Sequence, residues 1–540
     1  MTGKAVEREA EDAKARVKAA LDRQGEHALL DVREEGVYAR GHCLYAACCP
    51  LSRLELLVRD LVPRPNTSLT VMDGGGDEGL AARAEARLGE MGYSDVAILA
   101  GGLEAWAAAG FEVFGGMNVP SKAFGELVEQ TNATPHITAD QLKIMMDRGD
   151  DLVVLDSRPM DEFRMMNIPT ATDCPTSELV YRIAEIAPNP GTRVVINCAG
   201  RTRSIIGAQT LINAGIPNEV VALENGTMGW HLAGYQVERG NERKPPEVGR
   251  EALDEALARA RAVADKAGVE VIDQETLARF RDDGDSRTLY VFDVRTGAEY
   301  AAGHLAGARP AIGVQLVQKT DSFMATLGAR VVCVDDTGPR ALTTAAWLAQ
   351  MGWQAYVLDG GMDAGPKQAG AYVADVPEAE DAEVGSISPK MLAVANMRGT
   401  ALILDFTRSL DYAKSHIPGA RFAIRARLAD TLPRLDQKDM VVLTSGDGRL
   451  ARLAAAEAQA AAAVPVKVLA GGNAAWRRDK LPLADGTADA ADPVEDDAFW
   501  RPYERSDGVE DAMHQYLSWE QGLVEQIARD GTAPFKVLVP

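Results

Sequence analysis

Cys198 is the residue of this chain best placed to act as a nucleophile. It opens the loop Cys198-Ala199-Gly200-Arg201-Thr202-Arg203-Ser204, which follows an apolar run at residues 194–197 and precedes an amphipathic stretch. Successive backbone N–H groups in such a loop, at the start of a helix, form a site that binds anions. Because these donors, the helix dipole and two arginines all favour negative charge, the pKa of the Cys198 thiol is predicted to fall below its ordinary value of about 8.5.

The same arrangement of elements occurs four times along the 540 residues. In each copy an apolar strand ends in an aspartate, a second apolar strand leads into a loop and a helix, and a third strand meets a turn. The four aspartates are Asp31, Asp156, Asp293 and Asp405. Short apolar strands alternating with helices are typical of an α/β fold, with a parallel sheet flanked by helices on both faces. Ligands of such sheets bind at the carboxyl ends of the strands, where the Cys198 loop is expected.

The repeats predict four tandem domains, because each copy is long enough to form its own core. We place the domains at residues 1–115, 134–242, 248–376 and 386–485, and a C-terminal helical tail at residues 496–540. Residues 114–135 and the acidic segment 377–385 are interpreted as linkers, and residues 250–267 as a charged helix. The tail is expected to contain a helix near residues 509–529 and to dock on a domain.

Only the second copy has a thiol at the first position of the loop. Asp73, Asp335 and Ser445 occupy that position in the first, third and fourth copies. None of these three side chains is a thiol nucleophile, so domain 2 is predicted to be catalytic and the others inactive. Cys174 is interpreted as a buried packing residue, with a second role as a relay thiol left open.

These motifs resemble those of the rhodanese superfamily over nearly the whole chain, in an arrangement similar to the four-domain thiosulfate sulfurtransferases of bacteria. The resemblance rests on the cysteine loop and on three flanking motifs, which are Asp156-Ser157-Arg158, His416-Ile417-Pro418-Gly419, and Gly101-Gly102 followed by Trp106. It implies a sulfurtransferase with Cys198 as its catalytic residue. The substrate-binding residues it implies are Ala199, Gly200, Arg201, Thr202, Arg203 and Ser204, with Arg158 as a further candidate.

The expected chemistry is a two-step transfer of sulfur through a persulfide on Cys198, with a small anionic sulfur donor. The acceptor is left open between cyanide, a small thiol, sulfite and a protein thiol. Thiosulfate is favoured over 3-mercaptopyruvate as the donor, because Glu162 stands where two-domain relatives often have an arginine. Arg158 or Arg164 could compensate for that change. No cofactor and no metal ion are expected.

Two other classes of function are weighed against this one. Tyrosine phosphatases and related arsenate reductases use Cys-x5-Arg, whereas Arg203 gives Cys-x4-Arg here and the sixth position is Ser204. The shorter loop suits a sulfur atom better than a tetrahedral phosphate. The second alternative is a binding or scaffold protein that carries sulfane sulfur to a partner.

The amino-acid composition limits which binding partners and which cellular compartment are expected for this protein. The net charge of −22 argues against nucleic acid and anionic membranes as partners, because no basic surplus exists to displace counterions. No apolar run is long enough to cross a bilayer, and the charged N-terminal residues lack the apolar region of a secretory signal. Six cysteines without metal-ligand spacing fit a reducing compartment. A cytoplasmic protein is therefore expected.

Overall fold

A computed structural model describes residues 3–76, 79–377 and 384–539, with side chains from residue 7 onward. Part of the first-copy loop, at residues 77–78, and most of the predicted acidic linker, at residues 378–383, lie outside the described residues. The four predicted α/β domains are present, each built on its own sheet. Their central strands are buried along nearly their whole length, because helices cover both faces of each sheet.

Domain 2 shows the plan of the repeat most fully. Its five strands lie in the order β5-β9-β8-β6-β7, and all of the pairs are parallel. The strands are β5 (His136–Ile137), β6 (Leu152–Asp156), β7 (Thr172–Asp173), β8 (Arg193–Asn197) and β9 (Val220–Leu223). The helices are α7 (Ala139–Arg148), α8 (Met160–Met165), α9 (Thr176–Ile186), α10 (Thr202–Asn213) and α11 (Gly226–Leu232).

Domain 1 has a shorter sheet that is completed by another domain. Its elements are β1 (His27–Asp31), β2 (Ala46–Cys48), β3 (Leu69–Met72), β4 (Val96–Ile98), α1 (Gly3–Leu21), α2 (Glu35–Tyr38), α3 (Leu54–Leu61), α4 (Leu80–Glu90) and α5 (Gly102–Ala108). The short strand β14 (Thr326–Leu327), from domain 3, pairs antiparallel with β1. The first and third domains therefore share backbone hydrogen bonds as well as side-chain contacts.

Domains 3 and 4 repeat the plan of domain 2, in the orders β10-β16-β15-β11-β13 and β18-β22-β21-β19-β20. The elements of domain 3 are β10 (Glu270–Ile272), β11 (Leu289–Asp293), β12 (His304–Leu305), β13 (Arg309–Pro310), β15 (Arg330–Val334), β16 (Gln354–Leu358), β17 (Lys367–Gln368), α13 (Gln274–Asp282), α14 (Gly297–Ala302), α15 (Gly313–Gln318) and α16 (Pro339–Gln350). Those of domain 4 are β18 (Gly385–Ile387), β19 (Ala401–Asp405), β20 (Ala420–Phe422), β21 (Met440–Thr444), β22 (Val466–Leu469), α17 (Pro389–Met397), α18 (Ser409–Lys414), α19 (Leu428–Thr431), α20 (Arg449–Leu453), α21 (Ala455–Ala461) and α22 (Gly472–Arg478).

The domains associate in two pairs, 2 with 3 and 1 with 4. A continuous apolar core joins helices of domains 2 and 3, and a second core joins domains 1 and 4. A buried ion pair fixes each contact, Arg340 with Glu178 at 2.8 Å and Arg425 with Glu55 at 2.8 Å. The charged helix expected before domain 3 is present as α12 (Arg250–Lys266), and it packs against α9 and α16.

Residues 114–135 lie between domains 1 and 2, as the linker interpretation expected, but they do not form an extended connector. Most of this segment is the helix α6 (Val119–Asn132), whose side chains are mostly buried between the domains. The tail contains α23 (Val494–Asp497) and α24 (Val509–Asp530), and α24 packs on α6. The predicted docking of the tail is therefore confirmed, and its contact is the segment that the sequence suggested was a connector. Among the described residues, no helix combines the length and the apolar character needed to span a membrane.

Candidate active site

Cys198 stands directly after β8, at the carboxyl edge of the domain 2 sheet, as expected. The loop from Cys198 to Arg201 leads into α10, which begins at Thr202. Its main chain is held by α11, since Thr227 and Met228 donate backbone N–H groups to the carbonyl oxygens of Cys198 and Ala199 at 2.8 and 2.9 Å. This contact is close enough to require glycine at position 226, where φ is +55° and a Cβ would lie 2.5 Å from the Cys198 oxygen.

The Cys198 sulfur is buried, and burial decides its pKa. Its side chain donates to the Ser204 hydroxyl oxygen at 3.6 Å, and only 2% of the residue is exposed. Burial raises the pKa of the thiol, while Arg203, the Ser204 hydroxyl and the backbone N–H groups of Ser204 and Gly200 act to lower it. The predicted fall of the pKa below its ordinary value is therefore wrong, although the groups expected to stabilise a thiolate are in place.

Arg203 does not face the sulfur as a free cation. Its guanidinium forms two hydrogen bonds to Glu162, at 2.8 and 2.7 Å, and Glu162 also accepts from Gln315 of α15 at 2.8 Å. Arg203 and its neighbours hold the pKa of the Glu162 carboxyl well below its usual range, despite burial that acts to raise it. Glu162 thus neutralises Arg203 and ties the Cys198 loop to domain 3.

Arg201 is neutralised in the same manner from the opposite side. It donates two hydrogen bonds to Glu126 at 2.8 Å and one to Glu129, and both carboxylates belong to α6. The pKa of Arg201 is raised by these partners although burial acts against it. The two loop arginines, which the sequence suggested would bind the substrate directly, are each held by carboxylates of the protein itself.

Arg158 and Arg164 are engaged elsewhere. Arg158 is 1% exposed and pairs with Asp156 through hydrogen bonds of 2.8 and 2.7 Å. Arg164 forms an ion pair with Glu242 at 2.7 Å. The geometry therefore gives no support to the idea that one of them compensates for Glu162, and the contact that Arg158 makes with Asp156 is a structural ion pair rather than a substrate contact.

A cavity of about 460 Å³ lies in front of Cys198. Residues 198–203 line this cavity. Ser204 and Arg158, which the sequence suggested as substrate-binding residues, are not among its lining residues in the described part of the chain. All four domains and the tail contribute to the wall, which includes Cys48 of domain 1, Lys319 of domain 3, Arg408 of domain 4, and Arg501, Tyr503, Tyr516 and Glu520 of the tail. The nucleophile therefore opens into a chamber inside the molecule.

Lys122 of α6 and Glu520 of α24 form a second charged feature in this chamber. The Lys122 Nζ lies 4.0 Å from Glu520 Oε1 and 4.5 Å from the ring centres of both Tyr516 and Trp519. Burial lowers the pKa of Lys122 to about 8 and raises that of Glu520. Glu520 also lies beside Gly200, since a Cβ atom at position 200 would be 3.4 Å from the Glu520 carboxylate. The tail helix therefore packs directly against the cysteine loop.

Of the other cysteines, only Cys48 is a described residue of the chamber wall. Cys174 is fully buried within the core shared by domains 2 and 3, and burial raises its pKa well above the usual value. It is therefore a packing residue, and the geometry gives no support to a relay role. Cys48, for which the sequence suggested no role, also has its pKa raised well above normal by burial.

Comparison with known proteins identifies the family. A model described as the rhodanese-like domain matches residues 13–109, 138–233, 273–366 and 388–479, which together exceed half of the chain. The chain belongs to the rhodanese family.

Solved and curated relatives differ in how much of this rhodanese they resemble. The crystal structure of a thiosulfate sulfurtransferase from Pseudomonas aeruginosa superposes with a TM-score of 0.92 at 50% identity, covering 98% of this chain and 99% of that one. An HTH-type transcriptional regulator of Mycobacterium tuberculosis is 32% identical over 17% of this chain and 39% of its own length. The "Putative sulfur carrier protein YrkF" of Bacillus subtilis is 27% identical over 24% of this chain and 72% of its own length.

The loops of the three other domains show which side chain accepts from the backbone N–H groups of the loop when no cysteine is present. We call these N–H groups, which surround the first loop position, the anion cradle. Asp335 accepts from the N–H groups of Gly338, Arg340 and Ala341 at 2.5, 3.0 and 3.2 Å. Asp73 accepts from those of Gly75 and Ala81 at 2.9 and 3.0 Å, and Ser445 accepts from that of Ala451 at 3.2 Å. Asp335 and Asp73 thus accept from several loop N–H groups and Ser445 from one, at the position where Cys198 interacts with the N–H groups of Gly200 and Ser204 in domain 2.

The residues that the sequence missed come from outside domain 2. Lys122, Glu126 and Glu129 lie on the segment interpreted as a linker, and Arg501 and Glu520 lie in the tail. The sequence offered one usable signal for α6, an apolar pattern interrupted by the charged residues Lys122, Glu126 and Glu129. Each of these three residues is buried or half-buried in the structure. For Arg501 and Glu520 in the tail, no local sequence pattern distinguishes them from charged residues on a solvent-exposed surface.

Proposed function

We propose that this rhodanese is a thiosulfate sulfurtransferase that works through a persulfide on Cys198. The observation that carries the proposal is that a thiol stands at the mouth of an anion cradle in domain 2 alone, whereas Asp73, Asp335 and Ser445 accept from the cradle N–H groups in the other domains. The likeness over the whole chain to an enzyme named thiosulfate sulfurtransferase supports the choice of donor.

In the first step the Cys198 thiolate attacks the outer sulfur of thiosulfate. A bond forms between Sγ and that sulfur, the S–S bond of the donor breaks, and its electron pair leaves with sulfite. The N–H groups of Gly200 and Ser204, which lower the pKa of the sulfur, are placed to stabilise the negative charge of the resulting persulfide. Because the reaction begins from the thiolate, the proton that Cys198 donates to the Ser204 hydroxyl must first be released to solvent.

In the second step a nucleophilic acceptor attacks the outer sulfur of the persulfide and regenerates the thiolate. With cyanide the product is thiocyanate, and no external oxidant or reductant takes part in either step. The chamber wall is formed by four domains and the tail, which favours small acceptors such as cyanide, sulfite or a low-molecular-weight thiol over a folded protein. All six cysteines are unpaired, which supports the proposal of a reducing, cytoplasmic location.

Steady-state kinetics with thiosulfate and cyanide test the proposal. We expect parallel lines in double-reciprocal plots, the pattern of a two-step transfer, and complete loss of turnover in Cys198→Ser. Cys174→Ala is the matched control, since it removes a buried thiol of the same domain that does not face the chamber. Turnover that survives in Cys198→Ser, or that is lost equally in both variants, would contradict the assignment.

The same assay separates the two alternatives. A higher kcat/KM with 3-mercaptopyruvate than with thiosulfate would make the mercaptopyruvate enzyme the better description. Rapid uptake of sulfur from thiosulfate, followed by slow transfer to every small acceptor, would point to a sulfur carrier that serves a protein partner.

A further inference from the structure

The cations that line the chamber fall into two groups. Those of the first group are held by carboxylates, namely Arg53 by Asp497 at 2.8 Å, Arg201 by Glu126, Arg203 by Glu162, and Arg408 by Glu35 at 2.7 Å. Lys122 belongs to neither group, because its Nζ lies 4.0 Å from Glu520 Oε1, farther than in the ion pairs just named. An anion that enters the chamber must compete with these carboxylates for the first group.

Lys319 and Arg501 form the second group. No carboxylate oxygen in the part of the chain that the structure describes lies within 4 Å of either charged group. The Arg501 guanidinium donates to the hydroxyl of Tyr503 at 3.1 Å, and Glu504 accepts from the Arg501 backbone N–H at 2.9 Å. Both residues line the chamber that residues 198–203 also line.

Each of the two residues is positioned by a segment outside domain 2. Lys319 directly follows α15 of domain 3, one turn beyond Gln315, which donates to Glu162 at 2.8 Å. Glu162 in turn holds Arg203. Arg501 opens the short turn Pro502–Glu504 in the tail; burial acts to lower its pKa, but Tyr503, Glu162 and Glu504 raise it, while Arg203 opposes them. The two cations are therefore carried to the mouth of the cradle by segments outside domain 2.

Two like charges kept together in a half-buried place work against stability. Burial lowers the pKa of Lys319, and Arg501 and Arg203 lower it further, while Glu162 and Asp161 act in the opposite direction. Asp321 is also near, but burial raises its pKa and Asn118 donates to it at 2.9 Å. The unfavourable electrostatics therefore fall on Lys319, since the neighbours of Arg501 raise its pKa. An anion bound between the two residues would offset the repulsion that Lys319 experiences, and charged groups perturbed in this manner are frequent at functional sites.

We propose that Lys319 and Arg501 bind the sulfonate end of the dianionic donor, while the cradle of residues 198–203 receives its outer sulfur. This assignment rests on the proposed function and extends it, because it gives donor recognition to domain 3 and the tail. The loop arginines then act as positioning residues that shape the cradle through Glu162, Glu126 and Glu129. A donor with two negative charges should be preferred over one with a single charge.

The test is a single-turnover measurement of sulfite release as a function of thiosulfate concentration, which separates donor binding from the transfer rate. Lys319→Met and Arg501→Gln are each expected to weaken apparent binding by at least about tenfold, with little change in the limiting rate. Lys319→Arg should restore binding. Arg408→Gln is the matched control, since Arg408 lines the same chamber but is already paired with Glu35, and it should bind thiosulfate as the wild type does.

Benzenethiosulfonate, a donor with one negative charge, provides the second arm. Both variants should lose less affinity for it than for thiosulfate. Because Lys319→Met removes a repelled charge, it is expected to fold with at least wild-type stability, which thermal unfolding checks. If the wild type releases no sulfite, the proposed function fails. If the wild type reacts but both variants bind thiosulfate normally, or weaken no more than Arg408→Gln, this inference alone is overturned.

Discussion

Replacing Glu162 by glutamine should make Cys198 more acidic. Glu162 and Arg203 form a buried pair with two hydrogen bonds, at 2.8 and 2.7 Å, so the carboxylate cancels much of the field that the guanidinium exerts on the sulfur. Removing the carboxylate charge leaves Arg203 in place. The opposite change, Arg203→Gln, removes the cation and leaves the carboxylate, so the pKa of Cys198 should rise.

The size of the effect follows from Coulomb's law. Two unit charges about 6 Å apart interact by about 3 kcal/mol at an effective dielectric constant of 20, which corresponds to about two pKa units. Since relaxation and solvent reduce this, we expect shifts of about one unit, downward in Glu162→Gln and upward in Arg203→Gln. Each change leaves the other member of the pair as an uncompensated buried charge, so each should cost about 3 kcal/mol of stability.

The assay is the pH dependence of alkylation of Cys198 by iodoacetamide, followed on the peptide that contains residue 198 by mass spectrometry. This reagent is neutral, so the charge of the chamber does not bias its entry. The alkylation rate should increase with pH as the thiol loses its proton. The midpoint should lie at a lower pH in Glu162→Gln, and at a higher pH in Arg203→Gln, than in the wild type. Identical profiles in all three proteins, or a later rise in Glu162→Gln, would refute this account of the electrostatics.

Three further outcomes are expected. Asp335→Ala removes a side chain that accepts from three backbone N–H groups, so urea unfolding should show a loss of about 1–2 kcal/mol while sulfur transfer stays at the wild-type rate; a loss of transfer in the stable protein would contradict the inactive role of domain 3. Arg158→Met breaks a buried pair with Asp156 and should destabilise the protein by about 3–5 kcal/mol without changing donor affinity, whereas weaker thiosulfate binding would return Arg158 to the substrate site. The Glu162 carboxyl has a folded pKa below its unfolded value of about 4.3, so the stability it contributes is present above that pH and lost as the pH falls below it. Acid unfolding of Glu162→Gln should therefore depend less on pH than that of the wild type, and unchanged pH dependence would show that the pair is not formed in solution.

The sequence was sufficient for the fourfold repeat, and it singled out one candidate nucleophile. The four strand-end aspartates and the four loops are local patterns, and the strands that end in these aspartates form where the sequence predicts them, whereas α6 was missed. Cys198 could be singled out because three related loops in the same chain have a different residue at its position. In the related loops Asp73 and Asp335 accept from backbone N–H groups, which is consistent with the predicted anion-binding role of the Cys198 loop.

Burial and long-range pairing were beyond the sequence. The pKa of Cys198 was expected to fall because its loop contains two arginines, but Glu162, Glu126 and Glu129 neutralise them, and the chamber wall removes water. These partners lie up to 75 residues away from the loop along the chain. Glu126 and Glu129 reach Arg201 because α6 packs on α10, and Glu162 reaches Arg203 from α8 of the same domain; no local pattern of residues determines these contacts.

The most direct test of the central claim is the intact mass of the protein after treatment with thiosulfate and removal of excess donor, with peptide mapping to locate the adduct. The account predicts a gain of one sulfur atom on the peptide that contains Cys198, which disappears on addition of cyanide and is absent in Cys198→Ser. An unmodified Cys198, or a sulfur atom carried by Cys48 or Cys174 instead, would contradict it.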